Sequence, residues 1–176
     1  SRVENPTVQS LELQLARLQG RESGLAVASG VAALSAVLLS LVKAGDHVIF
    51  FWESYKPTRH LIRDLLGKFG VETTGLFVED VPRLESHFRA GKTKLLLFES
   101  PTNPILRVPR IDTMTEACRK QGVLSVLDNT LAGPHNHGQF DVDIFVHSLT
   151  KFVSGHGDVM GGAVLASRTL ISQVRS

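Results

Sequence analysis

The sequence predicts an α/β fold with a mostly parallel sheet and helices on both faces. Short apolar runs alternate with segments whose leucines recur at helical spacing along most of the chain. Polar clusters follow several of the apolar runs: Ser29-Gly30, Glu99 to Asn103, Asp128-Asn129 and Ser148 to Lys151. Because ligands bind beyond the carboxyl ends of strands in such sheets, these clusters are candidate parts of one site.

The composition indicates one globular domain over residues 1–176, with 43% hydrophobic residues and a net charge of +2. Because the chain begins abruptly at Ser1 and stops within a probable helix, we expect it to be a piece of a longer protein. Scattered basic side chains do not favour nucleic acid, and the apolar run 31–42 is too short to span a membrane. One cysteine and no visible signal peptide predict a cytoplasmic location.

The elements follow in order from these patterns. Apolar or β-branched runs predict strands at 25–28, 47–51, 71–78, 94–98, 123–127, 142–146 and 159–166. Helical spacing and terminal signals predict helices from Thr7, a candidate cap, to Gly20, and at 31–43, 58–69, 82–90, 111–121 and from 169 onward. The second helix is apolar nearly all round, so it should be buried.

The stretch from residue 147 to 162 carries the clearest chemical signal. Lys151 follows an apolar strand and two hydroxyl residues, Ser148 and Thr150, and four glycines lie between 155 and 162. A lysine is rarely buried without a partner, and an imine with a carbonyl cofactor is one way to place it there. The hydroxyls could then bind a phosphate on that cofactor. A solvated lysine beside a flexible glycine loop is an equally simple alternative.

Three other positions fit a flat, phosphorylated cofactor. Ser29-Gly30-Val31 opens a helix whose free N–H groups suit a phosphate. Asp128 could pair with a protonated ring nitrogen, and Tyr55 could stack on the ring. Each also has an ordinary structural explanation, as a strand–helix turn, a capping aspartate and a surface tyrosine.

A metal site is the competing chemical interpretation of the histidines. His135, His137, His147 and His156 are candidate ligands, and the first two could chelate together. No second pair has ligand spacing, and carboxylates are not interleaved with them. We therefore expect no metal.

Several short motifs, taken in order, resemble one enzyme family over nearly the whole chain. They are Ser1-Arg2-x-x-Asn5-Pro6-Thr7, Ala28-Ser29-Gly30-Val31-Ala32-Ala33, Gly45-Asp46-His47-Val48, Tyr55-x-Pro57-Thr58-Arg59, Glu99-Ser100-Pro101-Thr102-Asn103-Pro104, Asp128-Asn129-Thr130, and Ser148-Leu149-Thr150-Lys151 through Gly155-His156-x-Asp158-Val159-x-Gly161-Gly162. The family is the Cys/Met-metabolism (transsulfuration) group of pyridoxal 5′-phosphate (PLP) enzymes. The resemblance implies that residues 1–176 form the PLP-binding large domain of a fold-type I PLP enzyme, with PLP as cofactor. It also implies that this domain is incomplete, and that an N-terminal segment and the small C-terminal domain are absent.

The resemblance also implies a role for each candidate residue. Lys151 would be the Schiff-base lysine, Asp128 would hold the pyridinium nitrogen, and Tyr55 would stack on the ring. The other cofactor-binding residues would be Ser29, Gly30, Val31, Asn103, Ser148, Thr150 and Arg2, the last from a neighbouring subunit. We therefore expect a homodimer or homotetramer that acts on a small sulfur amino acid.

The motifs leave the reaction open. The Tyr-x-Pro-Thr-Arg form resembles cystathionine β-lyases, so a carbon–sulfur lyase of that type is the first expectation. The Glu-Ser-Pro-Thr-Asn-Pro form resembles cystathionine γ-synthases and γ-lyases, which is the alternative. A catalytically dead structural relative and a metal-binding α/β module are alternatives of another class. Lys56 also departs from the glycine or glutamate common in the family.

Overall fold

The computed structural model describes residues 5–176 of the chain. Its strands in chain order are β1 (Ser23–Val27), β2 (His47–Phe51), β3 (Glu72–Leu76), β4 (Thr93–Glu99), β5 (Leu124–Asp128), β6 (Ile144–Ser148) and β7 (Gly162–Ala166). Its α-helices are α1 (Pro6–Leu18), α2 (Gly30–Leu41), α3 (Lys56–Arg59), α4 (Ile111–Gln121) and α5 (Arg168–Arg175). The predicted alternation of strands and helices is confirmed.

The chain divides into two compact units. The first contains residues up to Ser40 together with 129–139 and 144–176, and the second contains 41–128 and 140–143. In the first unit β7 lies between β1 and β6 and pairs antiparallel with both. The buried carboxylate of Glu12 on α1 accepts a hydrogen bond from the Ala26 amide at 2.9 Å and one from Arg175 at 3.0 Å.

The second unit contains the parallel strands. Their order is β5-β4-β2-β3, and all three neighbouring pairs are parallel. Fully buried residues such as Phe50, Leu96 and Phe98 lie on these strands, as expected for strands covered on both faces. The register places Glu99 opposite Asp128, each the last residue of its strand. Two carboxyl groups therefore lie side by side at the carboxyl ends of β4 and β5.

Two predictions about the first helices are wrong in detail. Asn5, and not Thr7, caps α1: its backbone is extended, and its side chain accepts from the Thr7 amide at 2.9 Å. Pro6 fits the first helical position, so Thr7 already lies inside the helix. Helix α2 is not buried all round, because Val31 and Leu39 are 40% and 58% exposed while a single face enters the core.

The remaining helical predictions differ in their bounds and winding. The helical segment predicted at 58–69 starts two residues earlier in α3, and continues as a π-helix and a 3₁₀-helix to Phe69. The segment predicted from Pro82 is a 3₁₀-helix that begins at Val78, since the Asp80 carboxylate accepts the Phe77 amide at 2.9 Å. None of the helices between residues 5 and 176 has the length and hydropathy that a membrane span requires.

Candidate active site

The first group of candidate residues lies at the start of α2. The Ser29 hydroxyl accepts a hydrogen bond from the Ala32 amide at 3.1 Å, and the Ser29 carbonyl accepts from Ala33 at 3.0 Å. Within residues 5–176 the amides of Gly30 and Val31 have no acceptor. Two unpaired N–H groups at the positive end of a helix form a suitable site for a phosphate.

Ser148 packs directly against this helix start. A methyl group built on Gly30 would lie 2.7 Å from Ser148 Cβ and 3.2 Å from its hydroxyl oxygen. Only glycine permits this approach, which brings the Ser148 hydroxyl beside the unpaired amides. The Ser148 amide donates to the Thr130 hydroxyl at 2.9 Å, so Thr130 fixes the position of the last residue of β6. These contacts fit a phosphate cradle.

We expect Gly30→Ala to lower the free energy of unfolding by about 1–3 kcal/mol, the usual cost of overpacking, and to weaken phosphate binding. Gly67→Ala is the matched control, because a methyl group at Gly67 would meet nothing within 4 Å. Urea unfolding with and without PLP measures both effects. Equal stability and equal PLP affinity in the two variants would show that Gly30 forms no cradle.

Thr150 and Lys151 lie on the turn that follows β6. The Thr150 hydroxyl accepts a hydrogen bond from the Gly161 amide at 3.2 Å and lies 3.4 Å from the Gly161 carbonyl. The Lys151 amide donates to the Ser148 carbonyl at 3.2 Å, which draws the turn back toward the strand end. Gly155, with φ +76°, ends this turn by donating to the Lys151 carbonyl at 2.9 Å.

Lys151 is exposed, since it lies on a turn three positions beyond the last residue of β6. Its side chain makes no hydrogen bond or ion pair with any residue from 5 to 176. Lys151 is therefore an accessible amine on the turn that begins at Ser148.

The second unit holds Tyr55, Asn103 and Asp128. The Tyr55 amide donates to Glu99 Oε1 at 2.6 Å, and the tyrosine itself is 45% exposed. Arg59 supports this loop by donating to the Trp52 carbonyl at 2.8 Å and to the Ser54 carbonyl. The Tyr55 residue is thus anchored through its backbone while remaining accessible for stacking.

Glu99 is the site residue that sequence analysis did not single out. It is only 4% exposed, and it accepts hydrogen bonds from the backbone amides of Tyr55 and Asn103. Burial, and secondarily the negative charge of Asp128, raise its pKa to about 8, although the two amides and Arg59 oppose the shift. The sequence did contain a signal for Glu99, because this acidic residue ends an apolar run just as Asp128 does.

A buried hydrogen-bond network surrounds Asn129, the residue that follows Asp128. Its amide nitrogen donates to Gln19 Oε1 at 3.1 Å, and His147 Nε2 lies 2.7 Å from the same oxygen. Because that oxygen can only accept, His147 carries its proton on Nε2. Burial lowers the pKa of His147 to about 4, so the ring is neutral and structural.

The remaining candidate residues are Arg2 and the other histidines. Arg2 lies outside the described residues, so its role stays a prediction. His137 Nδ1 bonds Asn129 Oδ1 at 2.7 Å, while His135 and His156 are exposed. No group of three or more metal-ligating side chains occurs in the part of the chain that the structure describes.

A family model for Cys/Met metabolism PLP-dependent enzymes matches residues 1–175. The chain belongs to this family.

Relatives and solved structures agree with this membership. The chain is 38% identical over 174 residues to cystathionine gamma-synthase 1 of Arabidopsis thaliana, covering 98% of the chain and 31% of the relative. It is 36% identical over 177 residues to L-methionine gamma-lyase of Pseudomonas putida, covering 99% of the chain and 44% of that enzyme. The chain therefore spans less than half the length of these relatives.

The structural comparisons confirm the predicted fold class. The crystal structure of metB from Corynebacterium glutamicum has a TM-score of 0.94 and 31% identity, covering 99% of this chain and 46% of that one. A Campylobacter jejuni structure described as an O-acetylhomoserine (thiol)-lyase has a TM-score of 0.87 and 36% identity, covering 98% and 43%. It contains N′-pyridoxyl-lysine-5′-monophosphate, and the prediction of PLP as cofactor is confirmed for the family.

These relatives change which of the two predicted reaction types is better supported. Both curated relatives above are named for γ-chemistry, one as a gamma-synthase and one as a gamma-lyase. The γ-type alternative is therefore better supported than the cystathionine β-lyase that we expected first.

Proposed function

We propose that the full-length protein containing this chain is a PLP-dependent enzyme that eliminates or replaces a group at the γ-carbon of a sulfur amino acid. The start of α2 supports this proposal most directly, because its two unpaired amides lie against Ser148. The accessible Lys151 follows Ser148 by three residues. The residues present fit PLP, since they offer phosphate donors and an amine. The names of the relatives favour the γ-carbon.

Bound PLP would supply an aldehyde that takes up amines and a ring that accepts electron pairs. Gly30, Val31 and Ser148 would hold its phosphate, and Ser29 would keep the helix start in shape. Thr150 would join them if its long 3.4 Å contact with Gly161 gave way to the phosphate. Lys151 Nζ would hold the cofactor covalently in the resting enzyme.

The same lysine would serve as general base once substrate has taken its place. A primary amine released beside the substrate can take the proton from the α-carbon and return a proton elsewhere. Asp128 would keep a proton on the ring nitrogen, Tyr55 would cover the ring face, and Asn103 would lie near the substrate.

The proposed assembly is a homo-oligomer, a dimer or a tetramer. Several large apolar side chains of α1 are exposed, among them Leu13 at 52% and Leu18 at 47%, which a partner subunit could cover. Arg2 would reach the phosphate of the neighbouring subunit, because its planar guanidinium suits a dianion. The protein would act on small molecules, without nucleic acid or membrane partners.

The length of the oxo acid product tests the proposed reaction. Departure of a substituent from the γ-carbon of a four-carbon amino acid leaves a four-carbon 2-oxo acid, whereas β-elimination from a cysteine-type substrate leaves a three-carbon one. Cystathionine contains both kinds of bond, so its products report the choice directly. We expect the four-carbon acid, or a γ-replacement product when a thiol is added. Three-carbon acid alone would restore the β-lyase alternative, and no turnover would favour a catalytically dead relative.

A further inference from the structure

Glu99 lies where three predicted site residues come together in the second unit. Its carboxyl group accepts the amides of Tyr55 and Asn103, from the loops that follow β2 and β4. The β4–β5 register places it opposite Asp128. Glu99 is 4% exposed, whereas Tyr55 is 45% exposed. Glu99 is therefore a buried group that contacts the backbone of Tyr55 and Asn103 and lies opposite Asp128.

We propose that Glu99 is a positioning residue that holds Tyr55 and Asn103 as an uncharged acid, leaving Asp128 as the charged member of the carboxyl pair. This inference rests on the proposed function, because it assigns Glu99 a task in holding the groups around the PLP ring. Glu99 itself would not touch the reacting atoms.

The charges around Glu99 support the uncharged form. The negative charge of Asp128 on β5 raises the pKa of Glu99, and the positive charge of Arg59 on α3 lowers it. Burial and the Asp128 charge outweigh Arg59 and the two amide donors. Two carboxylates at neighbouring strand ends repel each other, so one keeps its proton. Asp128 is less buried and would face a positively charged ring, so we assign the charge to it.

The proposal predicts a pH dependence with a definite sign. The pKa of Glu99 is raised from 4.5 to about 8, so the folded protein binds a proton that the unfolded chain releases. Its contribution to stability is therefore complete below pH 4.5 and is lost as the pH rises toward 8. Above that range a second negative charge would disturb both loops.

Two variants separate the uncharged acid from a carboxylate. Glu99→Gln keeps the acceptor oxygen and the shape without a charge, so it should bind PLP within about twofold of the wild type at pH 7. Glu99→Ala leaves the two amides unpaired in a buried place and should weaken PLP binding at least tenfold, about 1.4 kcal/mol. If Glu99→Ala fails to fold, the comparison of Glu99→Gln with wild type still tests whether Glu99 acts as an uncharged acid.

The measurements are urea unfolding of the cofactor-free full-length protein between pH 5 and 9, and circular dichroism of the bound PLP band. We expect the wild type to lose stability and dichroism as the pH rises, and Glu99→Gln to lose less of both. Equal pH profiles for the two proteins, or weak PLP binding by Glu99→Gln at pH 7, would overturn the proposal. If the wild type binds no PLP, the proposed function fails, while the unfolding profiles still test Glu99.

Discussion

Lys151→Ala should abolish turnover without unfolding the protein. The amine is proposed both to hold the cofactor and to move the α-proton, so we expect a loss of at least about 10³-fold in kcat. The exposed side chain makes no hydrogen bond or ion pair within residues 5–176, so the free energy of unfolding should change by less than about 0.5 kcal/mol.

The matched control is Lys68→Ala, which removes another exposed lysine that takes part in no ion pair with the described residues. Steady-state assays of oxo acid release and urea unfolding of both variants give the comparison. Wild-type turnover in Lys151→Ala would remove Lys151 from the mechanism. A large loss of stability there would show that the turn after β6 depends on this side chain.

Asp128→Asn should still bind PLP but slow the chemical step by about three or more orders of magnitude. An amide cannot hold a proton on the ring nitrogen by charge, so the ring becomes a weaker electron acceptor. Removing the Asp128 charge should also lower the pKa of Glu99, because that charge is one of the causes of its rise.

Asp141→Asn serves as the control, since Asp141 is exposed and its carboxylate lies 3.5 Å from Arg119 at the surface. Single-turnover measurement of α-proton loss, followed by exchange with deuterium, isolates the affected step. If Asp128→Asn removed the α-proton at a rate within a few-fold of Asp141→Asn, the assigned role of Asp128 would be wrong.

The sequence located the central strands because β2, β4, β6 and β7 are almost wholly buried and consist mainly of apolar residues. The strand predicted at 47–51 is observed without change, and the one at 123–127 shifts by one residue to Leu124–Asp128. Parallel pairing places the ends of β4 and β5 side by side, so the polar clusters after these strands were also predictable.

The sequence could not locate features that depend on distant partners. His147 bonds Gln19, a residue 128 positions away, so its neutral structural role could not be separated from a ligand role by spacing. The raised pKa of Glu99 depends on burial and on Asp128, both products of the fold. The exposure of Lys151 depends on how the turn after β6 closes on Gly155 and Gly161.

Reduction with borohydride tests the central claim most directly. PLP bound by an imine becomes fixed to its lysine as a stable pyridoxyl group, whose position can be found by peptide mass spectrometry. The full-length protein should carry one pyridoxyl group per chain, on Lys151, with no label on Lys56 or Lys68. A pyridoxyl group on another lysine, or none after incubation with PLP, would contradict the account.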